Sequence, residues 1–598
     1  MDINPNSVEI CKLRLWIELL KNSYYLLPND KGYTKNLDSS IHQMQTLPNI
    51  DINIKCGNSL ISNIELNISK DKLEAQLKDL LSKDNATLLS GGEGHKINAL
   101  EIKAILNDLK VKLPREIEKY KKATNAYKDE KDDDLRASLK SEINSAKGFI
   151  LNLFVKTHPT YREFKSIFAS YLKTYGYNGV DNAKVPNANK KELQEWIEKL
   201  NDYLFKAFEF HKTLDIPKQD DPRGFAEKDF IALVESMKSY ETIKTQAKEY
   251  FEWRFEFPEV LDANGDFMGF DLIIGNPPYG NLLSKEQKDF CKKQKRYLYA
   301  DTGDTYKLFI EKGFTLLAQN RNLGYIVPIT ITSSKSNIDL HKMLLENCEF
   351  IKVSSYGHRP VKIFPHAEQR TSIISCTKTF SKTKNLMTTK VNRRYSNQSI
   401  ENVMKDMSFV NSLDFVQDGA FCKIGLPIEK DIMQKVYAQK QTLKKLMSGK
   451  QKVYFRNTGG GYYDLYTSYS TIKSTTESNF SAINSKAIVA ILSSTLFYWF
   501  RNAYSNNRDS YIYEFERFPI PKFSNEQIKL LEKLGSKYEK DIEKNHDYSN
   551  GVKTYKIRKS KHIIDEIDRL ICPLYGLSTE EMEFIINYEL EFRTNSKD

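Results

Sequence analysis

The stretch Gly269-Phe-Asp-Leu-Ile-Ile-Gly-Asn-Pro-Pro-Tyr-Gly280 decides how the chain is read. Leu272, Ile273 and Ile274 form a short apolar run rich in β-branched residues. Bounded by turn residues, such a run predicts a strand buried on both faces. It ends at Gly275-Asn276-Pro277-Pro278-Tyr279-Gly280. Proline fixes φ, removes an N–H and pushes the preceding residue out of the helical region. Two in succession make a stiff, extended loop at the strand's carboxyl end, where ligands bind in open α/β sheets.

The side-chain carbonyl of Asn276 accepts hydrogen bonds, and Pro277 offers a backbone carbonyl with no competing N–H. Two acceptors held rigidly together can grip both hydrogens of an exocyclic amino group. That localises a nitrogen lone pair otherwise spread into a purine ring. Tyr279 supplies a flat face for a base, a contact worth roughly 1–3 kcal/mol. The loop resembles the Asn-Pro-Pro-Tyr motif of amino-methyltransferases that use S-adenosylmethionine, above all the DNA adenine-N6 enzymes. The resemblance implies catalytic roles for Asn276, Pro277, Pro278 and Tyr279. The alternatives are a plain surface turn, or the same chemistry on a protein glutamine amide or an RNA amine.

The 598 residues suffice for two to four domains. A composition of 28% charged and 40% hydrophobic residues fits a soluble globular protein. The net charge of +12 is compatible with a polyanion partner without requiring one. Seven scattered cysteines with no C-x-x-C pair argue against a zinc site or disulfide framework, and for a reducing cytoplasm. The longest apolar stretch, residues 487–500, is broken by Ser493, Ser494 and Thr495, so it predicts a core element and not a membrane span. The N-terminus carries no signal peptide.

In the opening residues, apolar positions 10, 13, 16, 17 and 20 keep a helical period, with Asn4 or Ser7 as cap and Pro5 in the first turn. Asp2 stands just before that helix, where nucleotide-binding folds place the acidic residue that meets ribose hydroxyls. Alternation at Ile50, Ile52 and Ile54 predicts a strand, with a turn at Gly57-Asn58. These two stretches resemble the second and third blocks of the adenine methyltransferases. The resemblance implies that Asp2 and Asn58 contact the cofactor, Asn58 standing where many relatives carry Asp.

Residues 65–250 are rich in Lys and Glu with helical periodicity, as in Leu73–Leu81 and Leu193–Leu200. The charge run Lys128–Asp134 reads as a solvated linker or helix start. The aromatic segment Phe251–Glu259 reads as packing and resembles a segment of the large type IIG restriction-modification methylases. After the loop, a helix over Asp304–Leu317 and a strand over Leu323–Ile329 complete a parallel α/β unit with the strand before the loop, and Ile351–Tyr356 and Thr371–Cys376 continue the sheet. In Val361–Ala367 the resemblance implies an aromatic residue that sandwiches a flipped base, here Phe364. Beyond 381 the composition turns to Tyr, Ser, Asn and Lys. Val453–Tyr463, with its triple glycine, resembles part of a target-recognition domain, placing Arg456 or Lys452 on DNA. The tail from Glu526 is charged and helical.

The expected fold is α/β, an incomplete Rossmann-like methyltransferase sheet with a helical insertion, followed by an α+β target-recognition domain. The expected boundaries are core 1–64 and 251–380, insertion 65–250, recognition domain 381–525 and helical tail 526–598. The function implied is site-specific transfer of a methyl group from S-adenosylmethionine to N6 of an adenine flipped from double-stranded DNA. No metal and no membrane enter this reading. The alternative from another class is a non-catalytic DNA-recognition fragment or subunit. A methylase of this kind is expected to hold the methionine end of its cofactor with a glycine-rich strand–turn–helix ahead of Asp2. No such turn is found, so the expectation includes a further segment, on a longer chain or a separate one, and weak cofactor binding without it.

Overall fold

The computed structural model describes residues 4–21, 25–26, 33–34, 43–44, 49, 53–60, 69–88, 102–175, 198, 227–249, 251–293, 304–363, 369–458, 463–471, 476–549 and 552–594. The chain forms two compact units, Met1–Gly269 and Phe270–Asp598.

Helices dominate the described part of the first unit, among them Pro5–Lys21, Lys70–Leu88, Leu113–Asp129, Asp133–Thr157, Pro159–Tyr175 and Glu227–Glu249. Leu73 and Leu77, one turn apart, are buried together with Leu109, Ile117, Phe154 and Phe164. The run Lys128–Asp134 is a helix start: Asp132 accepts from Leu135 N at 2.9 Å and caps Asp133–Thr157. Pro5 opens the first helix, but Ile10, Leu13, Trp16 and Ile17 of its apolar stripe are exposed. Of the strand expected at Ile50–Ile54, residues 50–52 lie outside the described residues. Asn53–Leu60 form turns and bends around one bridge residue, Cys56. The aromatic segment packs as expected, with Trp253 centred 5.1 Å from Phe251 and 5.7 Å from Phe257. Leu193–Leu200 lies outside the described residues except for Glu198.

The second unit is built on a six-stranded sheet. Its strands are β1 (Phe270–Gly275), β2 (Leu317–Pro328), β3 (Cys348–Tyr356), β4 (Thr371–Lys378), β5 (Asn385–Asn392) and β6 (Val410–Asn411). Their spatial order is β1-β2-β4-β3-β5-β6. The pairs β1–β2 and β3–β5 are parallel, while β4 runs antiparallel to both β2 and β3. The fold is α/β, as the sequence implies, with a mixed sheet in which β1, β2, β3 and β5 run the same way. Their carboxyl ends therefore share one edge, and the start of β4 lies at that same edge. Leu323, Val327, Ile351 and Ile374 on the central strands are fully buried. The helix Thr305–Leu316, which links β1 to β2, buries nearly every residue and not one face alone.

One expectation is corrected. The apolar run in β1 is not buried on both faces: Leu272 is 59% exposed and Ile274 73%. The reason is position, because β1 lies at the sheet edge and pairs with β2 alone among the described residues. Leaving each side chain uncovered forgoes about 1.5–3 kcal/mol.

Beyond the sheet, strands β7 (Gln451–Arg456), β8 (Tyr466–Thr467) and β9 (Glu477–Ala482) form a small antiparallel sheet. It packs on the buried helices Ser485–Ser493 and Thr495–Tyr504, which occupy the apolar stretch singled out in the sequence. The second of these helices starts on Asp568, which accepts from Thr495 N at 3.1 Å and Leu496 N at 3.2 Å. The helices Asn525–Lys544 and Lys561–Ile571 of the tail join the same core. No helix among the described residues is long and apolar enough to cross a membrane.

The edge and centre of the sheet are expected to respond differently to the same chemistry. Ile374→Thr puts a hydroxyl into the fully buried centre and should cost about 2–4 kcal/mol. Ile274→Thr at the exposed edge should cost under about 0.5 kcal/mol. Urea unfolding of both variants checks this, and equal losses would contradict the edge placement of β1.

Candidate functional site

The Asn276–Tyr279 loop leaves β1 at its carboxyl end. Pro277 is buried, Asn276 and Pro278 are exposed, and Tyr279 is half-buried. Buried Pro277 seats the loop while the Asn276 amide stays accessible. Gly280 then turns with φ +82°, a left-handed conformation costly for a residue with a Cβ. Its carbonyl accepts from Thr305 N at 2.9 Å and from Thr305 Oγ1 at 2.6 Å. Leu282 N donates to Thr305 Oγ1 at 3.1 Å. The loop is thus tied to the first residue of the helix that follows.

Tyr279 provides a second tie. Its hydroxyl lies 2.9 Å from Asn276 Oδ1 and 3.2 Å from the Ile326 carbonyl on β2. One proton serves these two acceptors. Burial pushes the phenol up to about 12, so it remains a donor at neutral pH. The carbonyl oxygen of Asn276 has two lone pairs, so an external amino group can still be received there. The arrangement offers an exposed amide oxygen, a rigid backbone and an aromatic ring within four consecutive residues.

The other expected site residues are distributed as follows. Asp2 and Phe364 lie outside the described residues. Asn58 belongs to the first unit, where its Oδ1 accepts from Leu60 N at 3.0 Å. Its turn is fixed by a close approach, since a Cβ on Gly57 would come within 2.6 Å of Phe251. Lys452 and Arg456 both lie exposed on the same face of β7, roughly 13 Å apart at strand rise. Lys452 Nζ reaches Ser481 Oγ at 3.2 Å. The triple glycine 459–461 lies outside the described residues. Sequence reasoning missed Thr305 and the Ile326 carbonyl. The Asp304-Thr305 helix start carried a signal for the first, whereas a backbone acceptor carries none.

The family model for Eco57I restriction-modification methylases matches residues 1–364. The chain belongs to this family. Among its relatives is a putative type II restriction enzyme and methyltransferase, RM.MjaORFECS2P of Methanocaldococcus jannaschii, 25% identical over 346 residues. The match covers 58% of this chain and 23% of that protein. The type II restriction enzyme and methyltransferase RM.Eco57I of Escherichia coli is 35% identical over 97 residues, covering 15% of this chain and 10% of that one. The chain therefore matches a quarter or less of the length of either relative. Among solved structures, the type IIL restriction-modification enzyme MmeI in complex with DNA covers 89% of this chain and 99% of its own. It does so at 11% identity and a TM-score of 0.34.

The two ties predict how the loop of this methylase-family chain responds to loss of the Tyr279 hydroxyl. Tyr279→Phe keeps the ring but removes a bond worth about 1 kcal/mol, so amide exchange around residues 275–280 should quicken roughly five-fold. The Leu282 amide, held by Thr305, should change little. Hydrogen–deuterium exchange by mass spectrometry reads both, and unaltered exchange at 275–280 would show that the hydroxyl does not restrain the loop.

Proposed function

We propose that the chain methylates adenine N6 in double-stranded DNA as the methyltransferase part of a restriction-modification enzyme. The observation that carries this reading is the loop itself. Asn276 stands exposed at the carboxyl end of β1 on a backbone seated by buried Pro277. An adenine inside a duplex cannot reach such a loop, so the base leaves the stack first. Asn276 Oδ1 and the Pro277 carbonyl then accept the two N6 hydrogens. The nitrogen lone pair is turned out of conjugation and becomes available for attack. The Tyr279 ring stacks on one face of the base, with Phe364 assigned to the other. Lys452 and Arg456 contribute contacts to the DNA.

S-adenosylmethionine, when bound, supplies the methyl group as a sulfonium-borne electrophile. Asp2 and Asn58 are the residues assigned to its ribose and adenine. The chemistry of Asn58 fits, because an amide oxygen accepts two hydrogen bonds and the Leu60 N–H does not by itself exhaust it. Bound there, the cofactor would give up its methyl with the sulfur leaving as a neutral thioether, and the methylated nitrogen would release one proton to solvent. What this chain contributes is alignment: holding the nitrogen in line is the kind of positioning that lowers a barrier by several kcal/mol.

Asn276→Ala removes the side-chain acceptor while sparing the fold, since the residue is exposed. Transfer of radiolabelled methyl to DNA by the full chain should fall by at least about 100-fold. Duplex affinity by gel shift should stay within about three-fold, as the amide makes no phosphate contact in this account. Methyl transfer by the variant at the unsubstituted rate would reject the role given to Asn276. Duplex binding without methyl transfer by the unsubstituted chain would favour a recognition subunit instead.

A further inference from the structure

A second cluster lies on the same sheet edge as the Asn276 loop. After the carboxyl end of β3 come Gly357, His358 and Arg359. Arg370 immediately precedes β4, which runs the opposite way and so begins at this edge. Arg393 follows β5. Together with Arg501, Asn502 and Asn507 these arginines line one cleft. Four arginines line it, from segments up to 142 positions apart.

The four are not equivalent. Arg393 is held by Glu589 through two hydrogen bonds of 2.6 and 2.8 Å. Arg501 pairs with Asp464 and, at 3.4 Å, with Glu514. Those two carry their own counter-charges. Arg359 and Arg370 make no guanidinium hydrogen bond and no ion pair among the described residues. Burial holds the Arg370 guanidinium down at about 10, and Arg393, Arg508 and Arg359 press it in the same direction. Asp509 offsets part of this and pairs at 3.9 Å with Arg508.

Two amide donors complete the cleft. The Nδ2 atoms of Asn502 and Asn507 are buried and make no full hydrogen bond among the described residues, although the Tyr498 hydroxyl lies close to Asn502. Asn502 is 6% exposed, and Asn507 commits its Oδ1 to Ser505 Oγ at 2.8 Å. A buried N–H without an acceptor costs about 1–3 kcal/mol, and buried amide donors beside positive charge that is only partly offset favour an anion with several oxygens. The enclosed space is small, about 20 Å³, room for roughly one water-sized atom. An oxyanion would insert one oxygen and leave the rest of the group at the mouth, as a phosphate within a chain does.

We propose that Arg359, Arg370 and the Asn502 and Asn507 amides form a phosphate-binding pocket for the backbone of a nucleic-acid strand. The choice of a nucleic acid rests on the function proposed above. Strand spacing puts the pocket roughly 14–19 Å along the sheet edge from β1. That distance is about four to six nucleotides of rise in one strand at 3.4 Å each. The pocket would hold the strand beside the base presented to Asn276. It contributes affinity and register, and no sequence readout.

The test uses the full chain and a duplex titrated over a range of salt. Arg359→Gln and Arg370→Gln should each weaken binding and reduce the slope of log K against log salt by about 0.9, while Arg370→Lys keeps the slope. Methyl transfer at limiting DNA should fall in step with affinity in both Gln variants. Arg359 is exposed, so its variant guards against misfolding at Arg370. Unaltered slopes in both Gln variants would overturn the proposal. A second arm replaces chloride by inorganic phosphate at constant ionic strength. Phosphate should raise the melting temperature of the unsubstituted chain and not that of Arg370→Gln. If that shift appears but the chain binds no DNA, the pocket stands as a phosphate site and the function reading fails. If phosphate shifts both proteins equally, the pocket is not the site.

Discussion

Two tethers determine where the Asn276 amide sits. The Tyr279 hydroxyl reaches the Ile326 carbonyl, and the Gly280 carbonyl receives two hydrogen bonds from Thr305. With Pro277 buried between them, the loop has few ways to move. A loop that must hold a planar amino group against two acceptors depends on this, because acceptor geometry is lost within a few tenths of an ångström. β2 supplies one anchor and the helix before it supplies the other. The sheet therefore acts on the loop directly, as a frame and not as a distant scaffold.

The mixed sheet gives that frame a single active edge. Because β4 runs opposite to its neighbours, its first residue pairs with the last residues of β2 and β3. Arg370 is brought to the edge by this reversal alone. The core behind is consolidated by buried polar groups that are mostly answered. Glu429 accepts from Gly425 N at 2.8 Å and the Trp499 indole at 3.1 Å, and Asp568 starts a buried helix.

Much of this was legible in the residues. The Asn-Pro-Pro-Tyr loop announced itself through two prolines and a glycine, which constrain the backbone locally. The strands near 323–328, 351–356 and 371–376 were readable from their apolar runs. What could not be read was anything set by neighbours in space. The run Leu272–Ile274 has a core composition, yet it forms an exposed edge. The direction of β4 depends on its connections and not on its residues. Arg359, Arg370 and Arg501 are far apart in sequence, so no local pattern marks their convergence. Asp2 and Phe364 rest on resemblance alone.

The central claim is that this loop selects an exocyclic amine. The most direct measurement is mass spectrometry of nucleosides from duplex DNA incubated with the full chain and isotopically labelled S-adenosylmethionine. The account predicts label on N6 of adenine. Label on a ring carbon of cytosine, or label recovered only in protein or RNA from a mixed substrate, would contradict it.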